Sequence, residues 1–101
     1  MSSLLGLLGL GLRAHNVVVG VEAVRKELQG NRLGCVVVAS DASPRTVEKV
    51  VRLAQARRVP LVRGPRAGDL GAQLGRPPVM AVGVRDRGLA QGVLRAASTE
   101  E

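Results

Sequence analysis

The sequence predicts an α/β fold, a three-layer α-β-α sandwich in which helices alternate with the strands of a four-stranded mixed sheet. Segments with apolar residues at helical spacing alternate with short β-branched runs along the chain. Two of those runs, centred on Val36 and Val82, are uninterrupted apolar stretches, as expected of strands covered on both faces. A length of 101 residues, 46% of them hydrophobic, makes residues 1–101 one domain with one core. No aromatic residue is present, so Val, Leu and Ala must fill that core by close interdigitation.

The first helix is expected over residues 3–13, with Ser2 or Ser3 as its cap and Leu5, Leu8 and Leu12 on its inner face. Gly6, Gly9 and Gly11 weaken it by roughly 1 kcal/mol each against Ala, so packing must hold it. Val17–Val19 reads as a short strand ending at Gly20. A second helix follows to about residue 29, with Val21, Val24 and Leu28 inward, Glu22, Arg25, Lys26 and Gln29 outward, and Gly30 closing it. Residues 34–40 form the central strand.

Ser43 caps and Pro44 opens a third helix, whose inner face is Val47, Val50, Val51 and Ala54. Arg57 and Arg58 end it, where the helix dipole favours cations. The strand at 60–63 belongs near an edge because it starts with proline. A short helix at 66–74 stops at Gly75. Residues 79–84 make the last strand, and Asp86 caps a final helix over about 87–96, before a polar, fraying tail from Ser98 to Glu101.

Fifteen Lys and Arg against eight Asp and Glu give a net charge of +7, a field that attracts polyanions. Codon bias toward Arg, Gly, Ala, Val and Pro in a GC-rich genome supplies part of this excess. The lone cysteine, Cys35, sits in an apolar strand and reads as a buried hydrophobe in a reducing, cytoplasmic setting. The leucine-rich start lacks a basic region before its leucines and falls well short of the ~20 apolar residues of a membrane span.

The catalytic inventory is thin. His15 is the single histidine and reads as an exposed loop residue, so no His-based metal cluster can form. Ser40-Asp41 ends the central strand, where α/β enzymes place reactive groups, but no base partner is evident and a solvated turn explains both residues. Gly6-Leu7-Leu8-Gly9-Leu10-Gly11 has the wrong glycine order for a dinucleotide fingerprint and no strand before it. An enzyme is therefore not expected, nor a metal or cofactor.

Four stretches carry a resemblance spanning roughly residues 3–95. They are Leu7-Leu8-Gly9-Leu10-Gly11-Leu12-Arg13-Ala14; Val19-Gly20 opening a helix that carries Lys26; Cys35-Val36-Val37-Val38-Ala39-Ser40-Asp41-Ala42-Ser43; and Val59-Pro60-Leu61-Val62 followed by Asp69-Leu70-Gly71-Ala72-Gln73-Leu74-Gly75-Arg76-Pro77-Pro78 and a Val-Ala strand. In this order and spacing the chain resembles the kink-turn-binding ribosomal protein superfamily of the archaeal L7Ae type, in particular its short bacterial homologues.

The resemblance implies a structured-RNA-binding protein whose RNA is gripped by the helix start at Gly20, with the loop Arg76-Pro77-Pro78-Val79 packed on a flipped-out nucleotide. It implies RNA contacts at Gly20, Glu22, Ala23, Arg25, Lys26, Asp41, Arg76, Pro77, Pro78 and Val79, with Arg13 and Arg45 extending the basic rim. The physical sense is clear: a glycine lets RNA approach the backbone, and a helix start offers N–H groups to phosphate or base edges. Such recognition reads a bent RNA shape and needs no aromatic platform. The family's strongest kink-turn readers place an amide or basic residue and then Glu or Gln at the positions held here by Glu22 and Ala23. Glu22 can accept from a guanine edge, or pair with Lys26 at i, i+4 for only ~0.3 kcal/mol.

The expected partner is RNA, a kink-turn or a ribosomal element, with the ribosome as a candidate host, no membrane, and a monomeric protein. The alternative is a protein-interaction module that scaffolds a ribonucleoprotein without reading RNA itself, since a fold does not fix its function.

Overall fold

The structure is a computed structural model that describes residues 3–100. Its elements are α1 (Leu4–Arg13), β1 (Val17–Val19), α2 (Val21–Gln29), β2 (Cys35–Val38), α3 (Pro44–Ala56), β3 (Leu61–Arg63), α4 (Ala67–Leu74), β4 (Ala81–Val84) and α5 (Arg87–Glu100). This is the expected alternation. The sheet order is β1-β4-β2-β3, with β2 and β3 parallel and the other two pairings antiparallel. The two runs read as interior strands, β2 and β4, are adjacent at the centre and buried throughout. β3 is an edge strand, and Pro60 just before it accepts from the Val36 N–H at 2.9 Å.

The period of two along β2 divides the core. Cys35 and Val37 face a layer made by α1, α4 and α5, with Leu4, Leu8, Leu70, Leu74 and Val93. Val36 and Val38 face α2 and α3, with Val24, Leu28, Val47 and Val50. The sheet is thus covered on both faces by aliphatic side chains alone, each worth about 1.5–3 kcal/mol when fully buried. No helix among the described residues is long and apolar enough to cross a membrane.

Several element ends differ from expectation. In α1 the buried stripe is Leu4, Leu8 and Gly11, while Leu5 and Leu12 are only half-buried. Gly11 lies hard against Leu89 and Val17, so a glycine completes the inward face that the leucines were expected to supply. The Ser3 hydroxyl caps α1 by accepting from the Gly6 N–H at 3.0 Å; Ser2 lies outside the described residues. Ser43 occupies the cap position of α3, but its hydroxyl makes no capping bond, and its carbonyl takes the Thr46 and Val47 N–H groups instead. Gly30 ends α2 in a right-handed conformation, and the left-handed residue is Asn31. Asp86 does cap α5, its Oδ2 accepting from the Leu89 N–H at 2.8 Å. That helix runs on to Glu100 rather than fraying from Ser98, because Ala96 and Ala97 still pack on the core.

Glu27 is the buried charge of the molecule among the described residues, and the outward face read for α2 did not include it. Its carboxylate accepts from Arg32 Nε at 2.8 Å and from Arg85 Nε, and Arg85 Nη1 donates to the His15 carbonyl at 3.1 Å. One carboxylate thus ties α2 to the loop before β2, to the end of β4 and to the turn before β1. The Arg32 hydrogen bond, outweighing the cost of burial and helped by Arg85, holds the Glu27 carboxyl below its ordinary value near 4.5.

Two predictions follow from these buried groups. A folded carboxyl with a lowered pKa contributes stability above the unfolded carboxylate pKa and loses it as pH falls through the folded value. Glu27→Gln is expected to cost about 1–2 kcal/mol at neutral pH, given half-exposed arginine partners, with the gap to the parent closing in acid; urea melts across pH read this, and a gap independent of pH would refute the ionic latch. Burial pushes the Cys35 thiol up to about 12, so it stays protonated and inert in the folded chain. Iodoacetamide should leave the native protein unlabelled and modify it only in denaturant; labelling of the native chain as fast as the unfolded one would show that the strand opens.

Candidate nucleic-acid interface

The strand pairings bring separated pieces of sequence to one end of the sheet. Val38 lies opposite both Arg63 and Ala81, and Val19 lies opposite Val82. The chain therefore leaves the sheet at this end after β1, after β2 and after β3, and re-enters it at β4. Backbone hydrogen bonds sew these crossings together. The Gly20 N–H donates to the Ala81 carbonyl at 2.9 Å, and the Ala39 N–H donates to Met80 at 2.9 Å. The Ser40 N–H donates to Pro65 and the Val79 N–H to Ala67, each at 3.0 Å. The start of α2 and the proline loop, separated by more than fifty residues in sequence, are neighbours.

Gly20 has φ 101° and ψ 151°, a conformation essentially closed to residues with a Cβ. A Cβ there would meet nothing within 4 Å, so the demand for glycine is conformational and the space beside it is open. Gly20 supplies no capping side chain, and the N–H groups of Val21, Glu22 and Ala23 have no hydrogen-bond partner among the described residues. α3 and α4 also begin at this end. Three positive helix ends thus converge, a setting that favours anions. Asp41 satisfies part of one: its Oδ1 accepts from the Ala67 N–H at 2.8 Å, so Asp41 holds the start of α4 from across the turn.

The loop after α4 is shaped by a glycine that the site reading passed over. Gly75 closes α4 in the left-handed region, and the Arg76 N–H folds back to the Gly71 carbonyl at 2.8 Å. A Cβ on Gly71 would stand 2.2 Å from the Pro77 carbonyl oxygen and 2.8 Å from that of Arg76. Only a bare backbone at 71 lets the loop lie this close to the helix. The sequence signal was available in Gly71 itself, a costly residue in a helix interior that needs a packing reason. Arg76, Pro77 and Pro78 are exposed, whereas Val79 is buried and turns inward, so its side chain anchors the loop to the core.

On α2, Glu22 pairs with Arg25 at 3.2 Å rather than with Lys26. Lys26 is exposed in the last turn of the helix, and Ala23 is half-buried. Arg25 faces a shallow groove between α2 and α3 that Lys49 and Arg52 also line. Arg45 stands in the first turn of α3 at the site end, and Arg63 and Arg66, which the sequence reading did not include, are exposed at the same end of the sheet. Arg13 does not join this rim. It ends α1 just before β1 starts, and Val17 pairs with Val84, which places Arg13 at the opposite end of the sheet.

With this geometry fixed, comparison with known proteins gives a consistent answer. The model of the "Ribosomal protein L7Ae/L30e/S12e/Gadd45 family" matches residues 2–93. The chain belongs to this family. It is 34% identical over 88 residues to the "RNA-binding protein YlxQ" of Bacillus subtilis, covering 87% of this chain and 88% of that one. Among solved structures, a protein of unknown function from Bacillus halodurans superposes with a TM-score of 0.89 at 26% identity, over 97% of this chain and 99% of that one. The Giardia lamblia 15.5kD RNA binding protein shares the fold, with a TM-score of 0.81 at 19% identity, over 95% and 85% of the two chains. The family resemblance read from the residues is therefore borne out, and so is the α/β sandwich with its mixed sheet.

The contact at Gly71 yields a prediction about how this family member holds its loop. Gly71→Ala is expected to destabilise the protein by about 1–3 kcal/mol through overpacking. Gly68→Ala, in the same helix with nothing within 4 Å of the added methyl, should stabilise it by about 0.5–1 kcal/mol. Denaturant melts of the two variants check this, and equal effects would mean that the loop does not rest on Gly71.

Proposed function

We propose that this family member is a structured-RNA-binding protein that takes a kink-turn or a similar ribosomal RNA element between the start of α2 and the loop 76–79. The observation that carries this reading is the hydrogen bond from Gly20 to Ala81, which sets an open, uncapped helix end beside an exposed Arg-Pro-Pro loop. Membership of the family and the similarity to a curated RNA-binding relative support it.

The roles follow from the chemistry of each group. The N–H groups of Val21, Glu22 and Ala23 face phosphate or base edges at the positive end of the helix. Glu22 offers an acceptor to a guanine edge. Lys26 and Arg76 meet backbone phosphate, as point charge and fork respectively. Pro77 and Pro78 give a rigid apolar surface for an unstacked nucleotide. Asp41 acts through α4 by holding its start. The work assigned to the site is binding, by a monomer in the cytoplasm, with the ribosome as a candidate host.

Fluorescence anisotropy with a kink-turn RNA and a straight duplex of equal length tests the reading. The kink-turn should bind at least about tenfold tighter, which is ~1.4 kcal/mol. Gly20→Ala should cost about the same by straining the helix start. Lys26→Ala should weaken binding and lower the salt slope by about one unit. Equal affinity for the two RNAs would remove kink-turn recognition. Unchanged affinity in both variants would remove the site.

A further inference from the structure

The opposite end of the sheet holds a second cationic feature. A cleft of about 420 Å³ opens between the end of α3, the start of β3 and the first turns of α5. Arg57, Arg58 and Arg87 line it, and no carboxylate does. None of the three is in an ion pair among the described residues. Asp86, next to Arg87, caps α5; Glu48, the acid nearest in sequence to Arg57 and Arg58, pairs with Arg52; and Glu27, on the helix before Asn31, is held by Arg32 and Arg85.

Two of these arginines sit where helix rules prefer something else. Arg58 has φ 57° just past the end of α3, a position that usually takes glycine. Arg87 is the first residue of α5, where the dipole disfavours a cation and the natural choice is an acid. A cation at the end of α3 suits that helix's dipole, but the same argument runs against Arg87. Local rules broken without a structural gain point to function.

The rest of the cleft suits a nucleotide. Leu33, Val59 and Leu94 supply an apolar floor that can take the face of a base. Arg57 Nη1 donates to Asn31 Oδ1 at 3.2 Å, which orients both side chains and leaves the Asn31 amide nitrogen as a donor. Gln91 adds a second amide. Guanidinium forks match phosphate oxygens, and apolar floors with a few amides match base and ribose. The α2–α3 groove with Arg25, Lys49 and Arg52 lies along the middle and later turns of these helices, both of which start at the Gly20 end and finish at this one. Arg52, which lines the groove, is held by Glu48 in an exposed i, i+4 contact that a phosphate can displace.

We propose that the Arg57–Arg58–Arg87 cleft is a second RNA site, which binds a nucleotide of a single strand led there from the Gly20 site along the α2–α3 groove. This rests on the RNA-binding reading above and adds a separate contact to it.

The test uses the full chain and two RNAs, a blunt kink-turn and the same kink-turn with a single-stranded tail of about ten nucleotides, within the span of such basic grooves. The tailed RNA should bind about tenfold tighter than the blunt one. Arg58→Asn with Arg87→Glu, both compatible with their backbone positions, should abolish that difference, lower the salt slope for the tailed RNA by about one unit, leave blunt-RNA affinity unchanged and not lower the thermal melt. Blunt-RNA affinity that responds to Lys26→Ala but no gain from the tail overturns the second site alone. No binding of either RNA overturns both readings. Titration of ¹⁵N-labelled protein with AMP should shift the Asn31 and Gln91 amide signals. Equal shifts with inorganic phosphate would reduce the cleft to an anion site. AMP binding as tight as the tailed RNA would make the ligand a free nucleotide, and saturation by an oligo-glutamate peptide but not by RNA would make it a protein site; each of these overturns the proposal.

Discussion

The hydrogen bond from the Gly20 N–H to the Ala81 carbonyl is the point on which the candidate interface depends. It continues the antiparallel ladder of β1 and β4 by one rung past Val19. That rung fixes where the chain stops being strand and starts being helix, and it does so beside the residue where the proline loop becomes strand. Gly20 can make it only with a positive φ, since the chain must turn sharply out of the sheet into α2. The same turn leaves α2 without a capping side chain. One backbone bond therefore sets the helix position, the exposure of its N–H groups and the distance to the loop. The bonds from Ala39 to Met80 and from Val79 to Ala67 hold the loop from its other sides. The interface is thus built from main-chain rungs, which do not rotate as side chains do.

Charge divides the molecule in a way that composition alone cannot show. The Gly20 end carries cations interleaved with carboxylates, and Asp41 and Glu22 already have partners there. The opposite end spends one carboxylate, Glu27, on two arginines in a structural latch. Arg57, Arg58 and Arg87 remain unneutralised by ion pairs among the described residues. A net charge of +7 is therefore not a uniform field: cations cluster at both ends of the sheet, with Arg25, Lys49 and Arg52 on the helices between them. Such a pattern attracts a polyanion from several directions and orients it along one face.

Local rules made the fold legible. Uninterrupted apolar runs declared β2 and β4, and Pro60 declared the edge beside β3, because each signal lies within a few residues of its consequence. Helix ends marked by Gly75 and Asp86 were equally local. What stayed hidden depended on partners distant in sequence. Spacing alone puts Leu5, Leu8 and Leu12 inward, whereas the packing of Gly11 on Leu89 and Val17 turns Leu4 and Leu8 to the core. The burial of Glu27 is not marked in the α2 segment, because Arg85 reaches it from 58 positions away. Arg13, expected on the basic rim, lies off it by topology, since β1 begins at the other end of the sheet. The loop could be placed but not its support: a helix-interior glycine at 71 signals a close approach, while its partner, the Pro77 carbonyl, is fixed only by the fold.

Glu22 shows how an acidic residue can sit at a surface assigned to RNA. Its side chain is 86% exposed and its pair with Arg25 spans one turn, so the contact is weak enough to break when a partner arrives. The helix end beneath it carries partial positive charge from three uncapped N–H groups, which offsets the carboxylate's repulsion of nearby phosphate. Freed from Glu22, Arg25 can turn toward the α2–α3 groove that it already lines. An approaching RNA that donates from a base edge to Glu22 would thus exchange one exposed ion pair for two contacts, one to a base and one to a phosphate. On the proposed reading the acidic residue acts as a filter: it admits a donor edge and turns away a bare phosphate. The cations around it supply attraction that does not depend on sequence.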